Sequence, residues 1–259
     1  MFIRAELKQR AKDSIHRNIW IVIGTFLVFS LLTSSNFGTA VNLETGQYYF
    51  RMGLGDYYVI SLDFITVAIS TSLAVIISLL TLAYSIFISN PLKVGMNRFF
   101  VENRQEPSRF EVLFSMFTSK TYLNVVKIML LRDIYTFLWT LLFVIPGIYK
   151  AYQYYMIPYI LAENPNMDSS EVFEMTKMLT EGVKLDIFIL EISFLPWYLL
   201  GIVTCGLALF YVTPYQEATL CEAYIFLRDK AIDDGYLAPI DDESEVETEY
   251  VEPTIEDLH

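Results

Sequence analysis

Three stretches of this chain carry no Asp, Glu, Lys or Arg: residues 18–43, 64–92 and 192–216. A helix rises ~1.5 Å per residue, so ~20 apolar residues cross a ~30 Å hydrocarbon core. The runs are unbroken rather than alternating, which argues against a transmembrane β-barrel. The pattern predicts an all-α polytopic membrane protein with six spans, at 18–34, 59–89, 122–145, 148–162, 185–200 and 207–227. The spans pair into three hairpins.

Amphipathic stretches separate them. Residues 2–17 place Ile3, Leu7, Ala11 and Ile15 at near-helical spacing among Arg4, Lys8, Lys12 and Arg17. That suits a helix lying in the interface with its basic side chains snorkelling. Residues 107–120 align Phe110, Leu113, Phe114 and Phe117, and a third such helix opens at Asp168 or Ser169, either of which can cap it. Residues 36–57 read as an outer loop. Asn90-Pro91, Pro146-Gly147, Pro158 and Pro214 mark candidate helix breaks.

The unit of amphipathic helix, span, turn and span recurs over 2–104, 107–164 and 168–230. Residues 100–103 (Phe-Val-Glu-Asn) parallel residues 161–164 (Leu-Ala-Glu-Asn), and Asn18, Asn124 and Asp186 open the odd spans. Three hairpins about a pseudo-threefold axis are expected; transporters often use internal repeats, as scaffolds can.

Charge refines this picture. The net charge is −12, yet eleven acidic residues and no Lys or Arg lie from Asp233 onward. The body, 1–230, is nearly neutral, with no basic face to neutralise phosphates, which argues against a nucleic-acid partner. Residues 231–259 form an acidic tail that reads as a solvated segment or as a docking motif for a protein partner. Most of the 18 Lys and Arg fall on one side if both termini are cytoplasmic, so a multi-pass plasma-membrane protein with N- and C-termini inside is expected.

Candidate chemistry is sparse. Two histidines and two separated cysteines, Cys205 and Cys221, give no metal-ligand spacing. No catalytic signature is present, so no enzyme activity, metal or cofactor is expected. Glu191 falls in the middle of the fifth span, where an unpaired carboxylate costs about 2.5–3.5 kcal/mol on insertion scales. Lys127 and Arg132 in the third span are its candidate partners. Five tyrosines between residues 149 and 159 either line a polar cavity or form an interfacial belt.

Residues 138–150 (Leu-Trp-Thr-Leu-Leu-Phe-Val-Ile-Pro-Gly-Ile-Tyr-Lys) and 152–165 resemble a bacterial integral-membrane family, the domain of unknown function 975. The segment Asn90-Pro-Leu-x-x-Gly95 and the segment Pro214-Tyr-x-x-Ala-Thr219 fit it too. The resemblance extends over about 1–230 and implies no activity. The chain is also distantly similar to the membrane domain beside some glycerophosphodiester phosphodiesterases, without their catalytic half. Two functions follow: a non-enzymatic scaffold or regulator at the cytoplasmic face, or a small transporter or lipid-handling protein using Glu191, Lys127 and Arg132. The lipid bilayer is a partner in both.

Overall fold

The computed structural model describes residues 4–33, 72–118, 120–204 and 206–237. Every regular element among them is helical. The helices are α1 (Arg4–Arg17), α2 (Ile19–Thr33), α3 (Ser72–Asn103), α4 (Tyr122–Leu142), α5 (Val144–Gln153), α6 (Ile157–Glu163), α7 (Ser169–Thr180), α8 (Lys184–Ile192), α9 (Leu195–Val203) and α10 (Leu209–Asp233). A 3-10 turn, Phe110–Phe114, continues into a short helix, Ser115–Thr118. The expected outer loop at 36–57 and the tail beyond residue 237 lie outside the described residues.

Among the described residues, two helical stretches are long and apolar enough to cross a membrane: α3, and Lys184–Val203 spanning α8 and α9. A third arises if α1 and α2, bent by 96° to each other, count as one. Six spans are thus more than length and apolarity support. The reason is visible in the other expected spans. Helix α4 carries Lys127, Arg132 and Asp133, α10 carries Glu217, Glu222 and Arg228, and the fourth is split into α5 and α6. The molecule nonetheless wears apolar side chains outside: Trp20, Leu141, Ile145, Ile202 and Val203 are all mostly exposed. An apolar exterior of this extent suits a lipid or protein environment.

The core is built around α3, α6 and α10. Helix α1 buries Leu7, Ala11, Ser14 and Ile15, the face its spacing predicts, and packs it on α10. Its lysines lie over aromatic faces, Lys8 4.3 Å from the Phe194 ring and Lys12 5.8 Å from Tyr215. The 107–120 stretch differs from expectation. Leu113 of the 3-10 turn faces inward, as does Met116 of the short helix, while Phe110, Phe114 and Phe117 meet edge-on or tilted in a partly exposed row.

The proline positions need correction. Helix α3 runs through Pro91 without a break, and a π-helical turn, Ser85–Ser89, precedes it. Proline has no N–H to give the carbonyl four residues back, here Phe87. That carbonyl instead accepts a hydrogen bond from Tyr122 Oη at 2.6 Å. Pro214 likewise sits inside an uninterrupted helix. Pro146 lies in the first turn of α5, and the chain breaks earlier, at extended Phe143. Of these four, Pro158 alone coincides with a break, opening α6 where no N–H is needed.

Two glycines permit close crossings. A Cβ on Gly95 would stand 2.1 Å from the Leu113 carbonyl oxygen, and one on Gly147 would stand 2.6 Å from Thr140 Cα. The first seats the 3-10 segment on α3; the second closes the α4–α5 hairpin. Two asparagines that open odd spans each reach a loop carbonyl, Asn18 that of Ser108 and Asn124 those of Pro165 and Met167.

Candidate functional site

Between α3, α4, α6 and α10 the packing leaves a cavity of about 480 Å3. Its charged and amide-bearing lining comes from three of these helices. Helix α3 gives Lys93 and Asn97, one turn apart and so on one face. Helix α4 gives Arg132 and Asp133, and α10 gives Glu217. Phe137, Ala151 and Pro158 supply apolar wall, and Tyr155 closes it from the turn before α6.

The charges are paired. Lys93 Nζ lies 2.7 Å from Glu217 Oε1, an ion pair across α3 and α10. Arg132 Nε and Nη2 both reach Asp133 Oδ1, at 3.0 and 2.7 Å. Asp133 Oδ2 accepts from Asn90 Nδ2 at 2.7 Å. Neighbouring helical residues point ~100° apart, yet the long arginine folds back onto its neighbour. The cavity thus holds two cations and two carboxylates within a bundle whose exterior is apolar.

Asn97 is the exception to this pairing. It is fully buried, and neither Nδ2 nor Oδ1 finds a hydrogen-bond partner among the described residues. A buried polar group left unsatisfied costs about 1–3 kcal/mol. An amide offers both donors and an acceptor, and here both polar atoms are sealed beneath the cavity lining.

Glu191, Lys127 and Arg132 are not brought together. Glu191 accepts hydrogen bonds from Tyr152 Oη (2.5 Å) and Tyr155 Oη (2.6 Å), two members of the tyrosine run. Tyr155 also lines the cavity, so Glu191 stands behind its wall. Lys127 is exposed, on the side of α4 toward Asp168. Arg132 alone reaches the cavity. Of the four prolines, Pro158 lines it, and Pro91 shapes the helix that carries Lys93 and Asn97. Those two residues and Glu217 were missed from sequence. The available signal was the i, i+4 spacing of Lys93 and Asn97 directly after an apolar run.

A second polar layer lies beyond the cavity, near the ends of α3, α6 and α10. Arg104 Nε pairs with Glu222 Oε1 at 2.7 Å, while Glu222 Oε2 is buried without a partner among the described residues. Glu163 accepts from Tyr224 Oη at 2.6 Å and pairs with Arg228. Burial raises the Glu163 pKa, and the bonds from Tyr224 and Arg228 oppose that shift. At the start of α7, Asp168 Oδ2 accepts from Ser170 N and Oγ, at 3.0 and 2.7 Å, and these bonds hold its carboxyl below the ordinary aspartate value.

No curated protein and no solved structure matches the chain. Residues 141–231 match the family described as Protein of unknown function (DUF975). That segment runs from the end of α4 to α10 and includes Pro158, Glu191 and Glu217, whereas Lys93, Asn97 and Arg132 precede it. Over residues 141–231 the chain is thus similar to the domain of unknown function 975.

Proposed function

We propose that this protein is a multi-pass membrane protein, its termini cytoplasmic, that binds the polar part of a small amphiphile or solute inside its helical bundle. It acts as a lipid-handling or transport protein rather than an enzyme. One observation carries the reading: a cavity of about 480 Å3 lined by two ion pairs, with the unpartnered amide of Asn97 buried beside it. Ionisable groups inside an apolar bundle are costly and tend to mark substrate pathways. The split of the fourth expected span at Pro158, on the cavity wall, adds to this, because broken helices commonly build intramembrane sites. A role as scaffold would act through the tail, and 238–259 lie outside the described residues.

The test is native mass spectrometry of the full-length protein extracted from its own membrane. The wild type is expected to retain a bound small molecule that Lys93→Met and Asn97→Leu both lose. A wild type that carries nothing, or variants that retain the same adduct, would refute the proposal.

A further inference from the structure

We infer that the α4–α5 hairpin is a wedge in one leaflet of the bilayer: its tip, residues 134–149, lies among the acyl chains of that leaflet and does not cross to the other face. The inference rests on the protein's being in a membrane and not on the cavity. Residues 134–149 hold no Asp, Glu, Lys or Arg, with Asp133 before them and Lys150 after. Every residue from Phe137 to Ile145 is exposed, Leu141 by 73% and Ile145 by 82%. Consecutive helical positions point ~100° apart, so α4 is bare around its whole circumference here. Thr140 is the one polar side chain among them, and its Oγ1 donates to the Thr136 carbonyl at 2.8 Å. A partner protein or a second copy would cover one stripe of such a helix. Acyl chains cover every side, and a helix apolar all round belongs in a core or a membrane.

Length sets the depth. From Asp133 to the extended turn at Phe143 the first arm rises about 15 Å, and from Phe143 to Lys150 the second runs back about 10 Å. A hydrocarbon core of ~30 Å has leaflets of ~15 Å, so the tip reaches the midplane at most. The turn suits that place. In hydrocarbon every backbone polar group needs a partner within the protein. Phe143 N donates to the Trp139 carbonyl at 3.1 Å, and the Phe143 carbonyl accepts from Gly147 N at 3.0 Å. Pro146, in the first turn of α5, removes a donor that would have no acceptor there. The base of the hairpin has the chemistry of an interface. Lys150 Nζ lies 5.2 Å from the Trp139 ring and 2.9 Å from Gln153 Oε1. Lys184 Nζ lies 4.5 Å from the Tyr149 ring. Trp, Tyr and snorkelling Lys mark the headgroup level, so this collar fixes where the tip begins.

The experiment uses the full-length protein carrying Cys205→Ser; Cys221 is buried and serves as the unreactive background. Single cysteines are added as Lys127→Cys, Lys150→Cys and Ile145→Cys, none of them at a buried position. Right-side-out and inside-out membrane vesicles are treated with a membrane-impermeant maleimide. Lys127→Cys and Lys150→Cys are expected to be labelled from the same face, and at least tenfold less from the other. Ile145→Cys is expected to resist from both faces and to react after unfolding in sodium dodecyl sulfate. A bimane placed on Ile145→Cys is expected to be quenched more by lipids brominated near the chain ends than by lipids brominated near the glycerol. Labelling of Lys127→Cys and Lys150→Cys from opposite faces overturns the inference, because the hairpin then crosses. Labelling of Ile145→Cys from either face, or stronger quenching near the glycerol, overturns it too, because the tip is then not at the midplane. Any of these leaves the cavity reading standing. Release of the wild type by alkaline carbonate would instead overturn the membrane reading on which both proposals rest.

Discussion

Replacing Gly95 with alanine tests whether α3 and the 3-10 segment touch as closely as described. The added Cβ would lie 2.1 Å from the Leu113 carbonyl oxygen and 2.9 Å from its carbon, against 3.4 Å or more for an ordinary contact. Both atoms are backbone, so no side chain can swing aside. The segment must retreat by roughly 1 Å or the helix must bend, and overpacking of this kind costs about 1–3 kcal/mol. A backbone clash belongs at the upper end of that range. Alanine returns about 1 kcal/mol of helix propensity over glycine, which leaves a net loss of about 2 kcal/mol. Gly24→Ala is the matched control. Nothing lies within 4 Å of its Cβ, so only the propensity term acts and the protein gains up to about 1 kcal/mol. The two variants are compared by equilibrium unfolding with sodium dodecyl sulfate in mixed micelles, followed by far-ultraviolet circular dichroism. Opposite signs are expected. If Gly95→Ala is as stable as the wild type, the described contact is wrong.

Tyr122→Phe removes the donor to the Phe87 carbonyl and is expected to lose about 1 kcal/mol; the loss should shrink in a Pro91→Ala background, which restores the missing N–H, and an unchanged loss in that double-mutant cycle would sever the two residues. Arg228→Met strands Glu163, whose side chain is only 10% exposed, so a loss of about 3 kcal/mol is expected, partly recovered by adding Glu163→Gln; the same unfolding assay reads it. For Asp168 the folded pKa is depressed, so its contribution is present above the ordinary value of 3.8 and fades as pH falls through the folded value. Hydrogen exchange of the first amides of α7 should therefore lose protection at acid pH in the wild type, and Asp168→Asn, which keeps a cap without titrating, should flatten that limb.

Local chemistry was legible in the sequence and tertiary placement was not. The buried face of α1 follows from the spacing of Leu7, Ala11 and Ile15, and the cap of α7 from Asp168 ahead of an apolar-periodic stretch. The hairpin near Pro146-Gly147 was legible too, although its break falls at Phe143 and Gly147 lies within α5. By contrast, the partner of Glu191 depends on which helix faces it. A charge-matching argument points to Lys127 and Arg132, whereas the neighbours are neutral tyrosine hydroxyls, which satisfy a carboxylate without any opposite charge. Pro91 misleads for a related reason. Proline marks a lost hydrogen bond, but whether the helix breaks depends on whether another group takes the freed carbonyl, and Tyr122 lies 35 residues away. The cavity itself required four helices to be assembled before it existed.

Set in a bilayer, α3 works as a depth gauge. Its charge-free run ends at Leu92, and the described part alone is long enough at ~1.5 Å per residue to cross a ~30 Å hydrocarbon layer. Lys93 is the next residue, so the cation and the amide at Asn97 stand where acyl chains give way to esters and phosphates. A lipid entering past Phe137 would then keep its tails at their normal depth and move only sideways. On that geometry, headgroup capture costs no vertical displacement of the lipid, and discrimination among lipids rests on the polar lining alone.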